Sequence, residues 1–456
     1  MGDMDNIIHL AEMRDKGELP ATSEDALALA YADRHAHELR YVAAWSRWFV
    51  HDGARWDFDP TLHAFDRARA ICREVALECE RPATVTAAKT VAAVVQLARS
   101  DRRLAATVEQ WDAAPWLLAT PGDADTPAAT YDLATGYPRD PDPLDYLTKI
   151  AACSASPRGT PHPRWSAFLA RITANNADLQ GFLQRYIGYC CTGFTSEHAF
   201  VFAYGTGANG KSTFINTIVR ILGDYATVAD MGTFIASNTE RHPTDLAKLR
   251  GARLVVAQET QRGRRWDETK LKALTGGDKL TARFMRQDFF DFVPTFKLFI
   301  AGNVKPRLGS VDEAMRRRLL LVPFTVRIPR AERDPGLAEK LWAERSAILR
   351  WCLDGCLHWQ RDGLAPPAIV CDATEDYFKE QDTVGQWLED CTEDGGQLAF
   401  TRIADLFDSW KTWCEARNVK PGSTMALSGM LEDRGHERRR DSAGQRGFRN
   451  LTLKRR

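Results

Sequence analysis

The sequence predicts an α/β protein whose core lies between residues 196 and 326. Two observations favour this fold class: short β-rich runs alternate with helical segments, and a glycine-rich loop connects the first run to the helix after it. Such alternation is typical of an α/β sheet core. The predicted strands are Ala199–Phe202, Arg253–Ala257, Lys297–Ala301 and Leu319–Val322.

The glycine-rich loop reads Gly-Thr-Gly-Ala-Asn-Gly-Lys-Ser over residues 205–212, a full match to the phosphate-loop pattern G-x-x-x-x-G-K-[ST]. Its glycines let backbone N–H groups surround phosphates at a helix N-terminus. Lys211 is predicted to reach the β- and γ-phosphates of ATP, and the Ser212 hydroxyl is predicted to hold Mg²⁺. The residues expected to bind ATP are Gly205, Thr206, Gly207, Ala208, Asn209, Gly210, Lys211, Ser212 and Thr213.

Two polar residues after predicted strands are candidates for ATP hydrolysis. This reaction needs a carboxylate to polarise water and a group that senses the γ-phosphate. Glu259 ends the strand that starts at Arg253 and is the candidate general base, while Asn303 ends the next strand and is the candidate sensor. The alternatives are a surface glutamate at a strand end and a turn residue after glycine.

Three consecutive arginines, Arg316 to Arg318, directly precede the last predicted strand. An arginine supplied across a subunit interface stabilises charge on the transferred phosphate and makes hydrolysis depend on assembly. Arg317 and Arg318 are the candidates for this role. A basic strand edge with no catalytic part is the alternative.

Residues 270–292 are predicted to form a helix, a glycine turn and a basic β-hairpin. Positive side chains can follow the backbone of single-stranded nucleic acid while aromatic rings stack on its bases. The candidate DNA contacts are Lys279, Arg283 and Arg286. The alternative is that the phenylalanines at 289–292 belong to the core and that the cations form a solvated face.

Net charge and hydropathy limit where the chain could bind a polyanion and whether it could span a membrane. The formal net charge is zero, so a polyanion site must come from local clustering, as in residues 434–456, where nine Lys and Arg accompany two acidic residues. This tail is a candidate nucleic-acid or protein contact, or it is simply solvated. No apolar stretch is long enough to span a membrane, and we expect a cytoplasmic protein.

The ten cysteines form no C-x-x-C pair, which argues against a zinc ribbon and a disulfide framework. Cys352 and Cys356 share one helical stripe, and this favours core packing over metal ligation. A Pro/Gly/Asp-rich passage near residues 120–143 is predicted to be loop.

The predicted domains follow these features. They are an N-terminal helix with an aromatic hairpin at residues 47–58 (1–65), a helical domain (66–190), the ATPase core (191–330), a helical lid or linker (331–365) and a basic C-terminal module (366–456).

Taken together, residues 205–212, Glu259, the Thr-Gly-Gly-Asp segment 275–278, Asn303 and the Arg317-Arg318 pair resemble a superfamily 3 helicase. More narrowly, they are similar to the phage and plasmid primase-helicase family related to the poxvirus primase-helicase. The resemblance covers nearly the whole chain. It implies an AAA+-like phosphate-loop core and a winged-helix-like C-terminal module.

The resemblance also implies a homo-hexameric ring that hydrolyses ATP and translocates on single-stranded DNA, with a separate primase or polymerase as a possible partner. Two departures qualify this expectation. Fewer than about 40 residues precede Leu39, too few for a primase domain, so primer synthesis is not expected from this chain. Position 258 is Gln, so a second acidic residue near Mg²⁺ is missing and Ser212 is left as the direct ligand.

Two other functions are alternatives to the helicase. A nicking initiator would need paired metal-binding histidines, but His35 and His37 lie in the predicted helix Leu27–Tyr41, where residues two apart face different directions. The second is an ATP-regulated, DNA-binding replication-initiation scaffold that assembles on an origin without unwinding it. The complete hydrolytic set favours the helicase, since assembly alone would require only nucleotide binding.

Overall fold

The computed structural model describes residues 20–124, 126–237, 244–258, 264–283, 288–309, 312–396 and 399–454. Its first region packs helices against a small sheet. The helices are α1 (Glu24–His35), α2 (His63–Ala76), α3 (Pro82–Val85) and α4 (Ala88–Ala98). The strands are β1 (Leu39–Val42), β2 (Arg47–His51), β3 (Trp56–Phe58) and β4 (Ala105–Ala106), in the sheet order β3-β2-β1-β4.

This region confirms one sequence prediction and corrects another. Strands β2 and β3 form the predicted aromatic hairpin, with His51 opposite Trp56. The helix predicted for Leu27–Tyr41 is wrong in its second half, because α1 ends at His35 and β1 follows. All four residues of β1 are buried between β2 and β4, which makes pairing in a sheet more favourable than a continued helix.

Two short strands lie in the passage that the sequence predicted to be loop, and a third ends at its first residue. They are β5 (Leu117–Thr120), β6 (Ala129–Asp132) and β7 (Tyr137–Arg139). They form an antiparallel sheet in that order, so the loop prediction for residues 120–143 is wrong at Ala129–Asp132 and Tyr137–Arg139. The residues typical of loops concentrate in the connections; for example, Asp132 Oδ1 accepts a hydrogen bond from the Ala134 N–H at 2.9 Å.

A five-stranded parallel sheet forms the centre of the chain. The elements of this part are α5 (Pro163–Ile172), α6 (Ala177–Cys190), β8 (Phe200–Tyr204), α7 (Lys211–Leu222), β9 (Ala226–Val228), α8 (Thr244–Ala247), β10 (Leu254–Gln258), α9 (Glu268–Gly276), β11 (Leu280–Ala282), β12 (Phe290–Phe292), β13 (Lys297–Gly302), α10 (Glu313–Arg316) and β14 (Leu319–Pro323). The sheet order is β14-β8-β13-β10-β9. The four predicted strands are confirmed as β8, β10, β13 and β14. The sequence missed β9, which has only three residues and lies at the edge.

Helices and short strands follow the central sheet. They are α11 (Leu337–Ala343), α12 (Arg345–Asp362), α13 (Ala368–Gln381), α14 (Thr383–Cys391), β15 (Thr392–Asp394), β16 (Phe400–Arg402), α15 (Ile403–Ala416), α16 (Thr424–Glu432), β17 (Arg438–Arg440), β18 (Arg446–Arg449) and β19 (Leu451–Leu453). Cys352 and Cys356 are buried in the core, as predicted. Trp387, Trp410 and Trp413 fill a separate C-terminal core, and its winged-helix identity remains a prediction.

Side chains alternate between the two faces of the central sheet. On β8, Val201 and Ala203 join a core built with α5, α6, α7 and α12. Phe200 and Phe202 join a second core, in which both rings make T-shaped contacts with Trp266. Because both faces are buried, the strands are continuous apolar runs, as expected for a parallel sheet.

Helices α6 and α12 approach each other closely at two glycines. A Cβ on Gly188 would lie 2.1 Å from the backbone nitrogen of Cys356, and a Cβ on Gly355 would lie 2.2 Å from the carbonyl oxygen of Gln184. The Gln184 side chain adds a bond across the contact, because its Nε2 donates to the Trp351 carbonyl at 3.0 Å. This contact fixes the helical layer that covers one face of the sheet.

Replacing Gly188 with alanine should force these helices apart. We expect a loss of about 2 kcal/mol in stability, as for other overpacked cores. The measurement is the urea midpoint of unfolding, followed by circular dichroism. Gly181→Ala is the matched control on the same helix, because its Cβ would meet only the flexible end of Arg185, at 3.3 Å. Equal midpoints for the two variants would contradict the prediction.

Candidate functional site

The predicted phosphate loop connects the end of β8 to the start of α7. Gly205, Gly207 and Gly210 have φ angles of 155°, 85° and 85°, which residues with a Cβ rarely adopt. Two of them also lack space for a side chain. A Cβ on Gly205 would lie 2.2 Å from the Phe324 carbonyl oxygen, and one on Gly210 would lie 2.3 Å from Ile172 Cγ2. The loop conformation therefore requires glycine at these positions.

Asn209 anchors the loop to the segment that follows β14. Its side chain is buried, and Nδ2 donates to the Phe324 carbonyl at 3.0 Å. On the neighbouring residue, the Ala208 carbonyl accepts a hydrogen bond from the Ile328 N–H at 2.8 Å. Contacts from a distant part of the chain thus hold the loop in its curled form.

Lys211 begins α7, and its side chain is buried beneath the loop. Its Nζ donates to three oxygens: Gly205 O at 2.9 Å, Asn209 Oδ1 at 3.2 Å and Asn303 Oδ1 at 3.4 Å. All three oxygens are uncharged, and burial lowers the pKa of Lys211 to about 8. A desolvated ammonium with neutral partners is a good position for an anion to bind.

Asn303 lies beside Lys211 because β8 and β13 are neighbours in the sheet. Parallel strands end at the same edge, and α/β proteins bind ligands at that edge. Strand β10 ends there too, at Gln258, whose Nε2 donates to Asn216 Oδ1 on α7 at 2.8 Å. The structure therefore brings the candidate sensor to the loop lysine. Glu259, the candidate base, lies outside the described residues.

Ser212 and Thr213 occupy the first turn of α7, where Ser212 is exposed and Thr213 is half-buried. Thr206 and Ala208 are exposed on the loop. Mg²⁺ is usually held by a few protein oxygens together with substrate phosphates and water, and the exposed Ser212 hydroxyl suits this role. Within the described ranges, His, Cys, Asp and Glu form no group of three that could hold a metal ion.

The three arginines before β14 differ in their surroundings. Arg316 Nε lies 3.8 Å from Glu313 Oε2. Arg318 is half-buried, and its Nη1 donates to the Ala314 carbonyl at 2.9 Å. The Arg317 side chain is exposed and makes no hydrogen bond or ion pair with any residue in the described part of the chain. Of the two candidates for an arginine supplied to another subunit, Arg317 is therefore the more accessible.

Strands β11 and β12 form the predicted antiparallel hairpin. Lys279 is exposed, and the Arg283 guanidinium lies 4.8 Å from the ring centre of the exposed Phe289. Phe292 is buried, so the alternative core assignment holds for this ring and not for Phe289. Arg286 lies outside the described residues.

The basic C-terminal segment includes the edge strand β17, where Arg438, Arg439 and Arg440 are all exposed. Two of these charges are paired. Arg438 binds Glu432 at 3.1 Å, and Arg439 binds Glu437. Local ion pairs therefore offset part of the positive charge that the sequence shows.

A cleft of about 820 Å³ opens beside the phosphate loop. Its lining residues are Arg164, Ala167, Phe168, Arg171, Ala208, Gly210, Thr213, Ile328, Glu332, Arg333, Asp334, Leu337 and Lys340. Most of these residues belong to no functional motif of the sequence, because they come from distant segments. The fold alone brings them together.

Two family profiles match this chain. The profile described as "D5 N terminal like" covers residues 28–174, and the profile described as "Family of unknown function (DUF5906)" covers residues 203–318. The second range contains the phosphate loop, Asn303 and Arg317. No helix in the described residues is both long and apolar enough to cross a membrane.

Viral proteins are among the sequence relatives. "Putative helicase L207/L206" of Acanthamoeba polyphaga mimivirus is 27% identical over 273 residues, which cover 54% of this chain and 28% of the viral protein. "Putative helicase 022R" of Frog virus 3 is 26% identical over 59% of this chain and 29% of that protein. "Putative primase C962R" of African swine fever virus (strain Badajoz 1971 Vero-adapted) is 23% identical over 50% of this chain and 26% of its own length. The matches thus span less than a third of each viral protein.

Solved structures share the fold at very low identity. The apo structure of NrS-1 C terminal region (305-718) superposes with a TM-score of 0.52 and 7% identity, and covers 91% of this chain and 96% of that one. The A form apo structure of the same region gives a TM-score of 0.53 and 8% identity, with 94% and 100% coverage. These likenesses concern the fold alone. Together with the D5 N terminal-like region, the viral helicase and primase relatives confirm that this chain is related to the phage and viral primase-helicase family.

Proposed function

We propose that this chain is an ATP-hydrolysing DNA helicase of a phage, prophage or plasmid that moves along single-stranded DNA as a hexameric ring. One observation carries the proposal: among the described residues, the buried Lys211 ammonium contacts only neutral oxygens, at the point where the phosphate loop meets Asn303. The relatives named as helicases and primases support a role in replication. The hexamer rests on the family resemblance.

The chemistry of the loop supports the proposed binding of ATP. Backbone N–H groups and the N-terminus of α7 favour phosphate oxygens, and the positive φ angles of the glycines allow close approach. Within the described part of the chain, Lys211 bonds to no acidic group, so a triphosphate could bind its ammonium without breaking an ion pair there. Ser212 would help to hold Mg²⁺, which neutralises charge on the phosphates when it is bound.

Hydrolysis requires an activated water beside the γ-phosphate. We assign general-base catalysis to Glu259, which follows Gln258 at the end of β10. The Asn303 amide would orient this water, because its oxygen already lies 3.4 Å from Lys211 Nζ. Because β10 and β13 are neighbouring parallel strands, both groups would approach the phosphates from one edge of the sheet.

Assembly into a ring would complete each ATP site with an arginine from the neighbouring subunit. Arg317 is exposed at the end of α10 and is assigned to the phosphates bound by a neighbouring subunit. Arg318 is less suited, because its guanidinium bonds its own helix. Hydrolysis would then depend on ring formation.

Single-stranded DNA is assigned to the β11–β12 hairpin. Lys279 and Arg283 supply positive charge, and the exposed Phe289 ring supplies a surface for base stacking. Arg286 is assigned to the same contact from its sequence position. A separate primase or polymerase is the expected replication partner, in keeping with the family resemblance.

ATP binding should take up a proton above pH 8. In the free protein, burial lowers the pKa of Lys211 to about 8, so the amine is mostly neutral at about pH 8.5. A bound triphosphate, already deprotonated at this pH, favours the charged amine and raises its pKa. Calorimetric titrations in two buffers of different ionisation enthalpy should show proton uptake at about pH 8.5 and little at about pH 7. ATP affinity should fall as the pH rises from about 8 to 10.

Lys211→Ala is the control for this measurement, because it removes the titrating amine. Proton uptake that persists in the variant, or that is equal at both pH values, would assign the titration to another group.

DNA-stimulated ATP hydrolysis tests the proposed function. Hydrolysis by the wild-type chain should rise with single-stranded DNA at protein concentrations where rings form, and forked duplexes should be unwound only with ATP. Glu259→Gln should bind ATP normally but hydrolyse it about 10²- to 10⁴-fold more slowly, because the variant lacks a general base. ATP-dependent DNA binding by rings that never separate strands would instead favour the initiation scaffold.

The arginine assignment has its own control in the same assay. Arg317→Ala should hydrolyse ATP at least about 10³-fold more slowly than the wild type. Arg316→Ala should hydrolyse ATP at close to the wild-type rate, because Arg316 lies next to Glu313 of its own helix. Mixing Lys211→Ala with Arg317→Ala subunits should restore part of the activity, since some interfaces then contain both groups. Equal losses for Arg316→Ala and Arg317→Ala would remove the assignment.

Salt dependence locates the DNA contact. Alanine at Lys279 and Arg283 should weaken single-strand binding and lower the slope of log affinity against log salt by about 0.7 for each lost phosphate contact. The comparison variant replaces Arg440 and Arg446, two exposed arginines of the C-terminal sheet. A smaller slope in that variant alone would place DNA on the C-terminal module.

A further inference from the structure

The N-terminal hairpin of β2 and β3 carries an exposed aromatic ring with a cation beside it. Phe58, the last residue of β3, is 44% exposed, and the Arg47 guanidinium carbon lies 5.3 Å from the centre of its ring. Strand β3 is an edge strand, so this pair lies at the border of its sheet. Large aromatic rings usually lie in the core, because burying them is favourable. A ring left in solvent beside a positive charge suits a ligand that combines flat rings with negative charge.

The positive charge of Arg47 is available to such a ligand. Its side chain is exposed and makes no hydrogen bond or ion pair with a residue that the structure describes. The two acidic residues that flank Phe58 have partners of their own. Asp57 Oδ2 lies 3.4 Å from Arg55 Nη2, and the Asp59 carboxylate accepts hydrogen bonds from backbone N–H groups at the start of α2.

Aromatic contacts lead from this pair toward the central sheet. Phe49 lies directly opposite Phe58 in the pairing of β2 with β3, so the two rings share one face of the sheet. The Phe49 ring centre lies 5.7 Å from that of Trp45, which is half-buried and keeps part of its ring accessible. The Arg250 guanidinium carbon lies 5.6 Å from the centre of the Trp45 ring. The surface therefore continues from the N-terminal sheet to a residue that directly precedes the central sheet.

Arg250 lies between α8 and β10 and contacts an aromatic ring on each side. Besides Trp45, it meets Phe290, the first residue of β12, whose ring centre lies 5.2 Å from its guanidinium carbon. Phe290 directly follows Phe289, the exposed ring of the DNA contact proposed for the β11–β12 hairpin. Basic and aromatic side chains thus connect the N-terminal hairpin to the hairpin that is assigned to single-stranded DNA.

The charges around Arg250 leave this junction positive. A Cβ on Gly251 would lie 3.3 Å from Lys149 Cε, so a second cation lies close by. The acidic groups that act on Arg250 are Asp112 and Glu109. The Asp112 carboxylate already accepts two hydrogen bonds from a threonine, whereas Glu109 is exposed. Two cations thus face one exposed carboxylate, and the junction can attract phosphate groups.

We infer that the N-terminal hairpin and its junction with the central sheet bind single-stranded DNA, as a continuation of the contact proposed for the β11–β12 hairpin. This surface, which we call the N-terminal aromatic surface, consists of Phe58, Arg47, Trp45 and Arg250. The inference rests on the proposed function, since the β11–β12 hairpin is taken to hold the same strand. Exposed rings can stack on unpaired bases while guanidinium groups follow the phosphates. The inference adds that the D5 N terminal-like region contacts DNA directly.

The test measures how the full chain binds a single-stranded oligothymidine of about 20 nucleotides, longer than the usual site of one binding module. The variant Arg47→Ala/Phe58→Ala replaces two exposed side chains. It should bind the oligothymidine about tenfold more weakly, as for the loss of one stacked base. The slope of log affinity against log salt should fall by about 0.7, for one lost phosphate contact. A blunt duplex of the same length should lose less affinity, because its bases are already stacked inside the helix.

Tyr137→Ala/Arg158→Ala is the matched control, because it removes another exposed ring with an arginine beside it. Tyr137 is 64% exposed, and the Arg158 guanidinium carbon lies 4.9 Å from the centre of its ring. Arg158 also donates to the Thr135 carbonyl at 3.0 Å and lies 3.9 Å from Asp354. The control should bind the oligothymidine as the wild type does. Arg47→Lys should keep the wild-type salt slope, since it retains the charge.

Three results would overturn the inference. Unchanged oligothymidine affinity in Arg47→Ala/Phe58→Ala would leave the surface to a partner of another kind, such as a protein. Equal losses in this variant and in the control would mean that the position of the pair has no importance. Equal losses for the oligothymidine and the duplex would mean that no ring stacks on unpaired bases.

The alanine variant of Lys279 and Arg283 separates these failures from that of the proposed function. If it weakens binding of the oligothymidine while Arg47→Ala/Phe58→Ala does not, the proposed function stands and the inference alone fails. If the wild-type chain binds no single-stranded DNA, with or without ATP, both fail together.

Discussion

The site depends on keeping the Lys211 ammonium buried among neutral oxygens, with no acidic partner in the residues that the structure describes. Removing a charged amine from water is costly, and uncharged oxygens compensate for only part of that cost. The three oxygens must therefore be held in place by the rest of the structure. The positive φ angle of Gly205, the bond from Asn209 to Phe324 and the pairing of β8 with β13 each fix one of them. Under the proposed function, a bound triphosphate supplies negative charge beside this ammonium.

Two further buried cations hold the opposite edge of the same sheet. Lys297, at the start of β13, donates to the Thr192 carbonyl, and burial lowers its pKa to about 7. Arg253, directly before β10, donates to the carbonyls of Cys191 and Leu117, both at 2.6 Å. Residues 191 and 192 directly follow the C-terminus of α6. Carbonyl groups at a helix C-terminus have no hydrogen-bond donor within the helix, and the helix dipole makes a positive charge favourable there. The first residue of β13, Lys297, thus contacts the segment after α6, and Asn303, the candidate sensor, follows the last residue of β13.

These contacts unite segments that the family comparisons treat separately. Helix α5 lies within the D5 N terminal-like match, the phosphate loop lies within the second match, and residues 328–340 lie beyond both. All three line one cleft. Helix α12, packed on α6 through Gly188 and Gly355, closes the same side of the sheet. Helix α5, in the D5 N terminal-like match, therefore lies next to the phosphate loop.

The sequence by itself determined the phosphate loop, the four long strands of the central sheet and the basic hairpin, because each depends on local patterns: glycine spacing, apolar runs and turn residues. It also placed Asn303 and Arg317 at the ends of elements. Only the tertiary structure decided that Asn303 contacts Lys211, that Arg318 bonds its own helix, and that β5 to β7 form a sheet in a segment rich in loop residues. It alone created the cleft, since α5 and residues 328–340 are distant in sequence. Contacts of this kind arise when strand order and helix packing are fixed, and no local pattern encodes them.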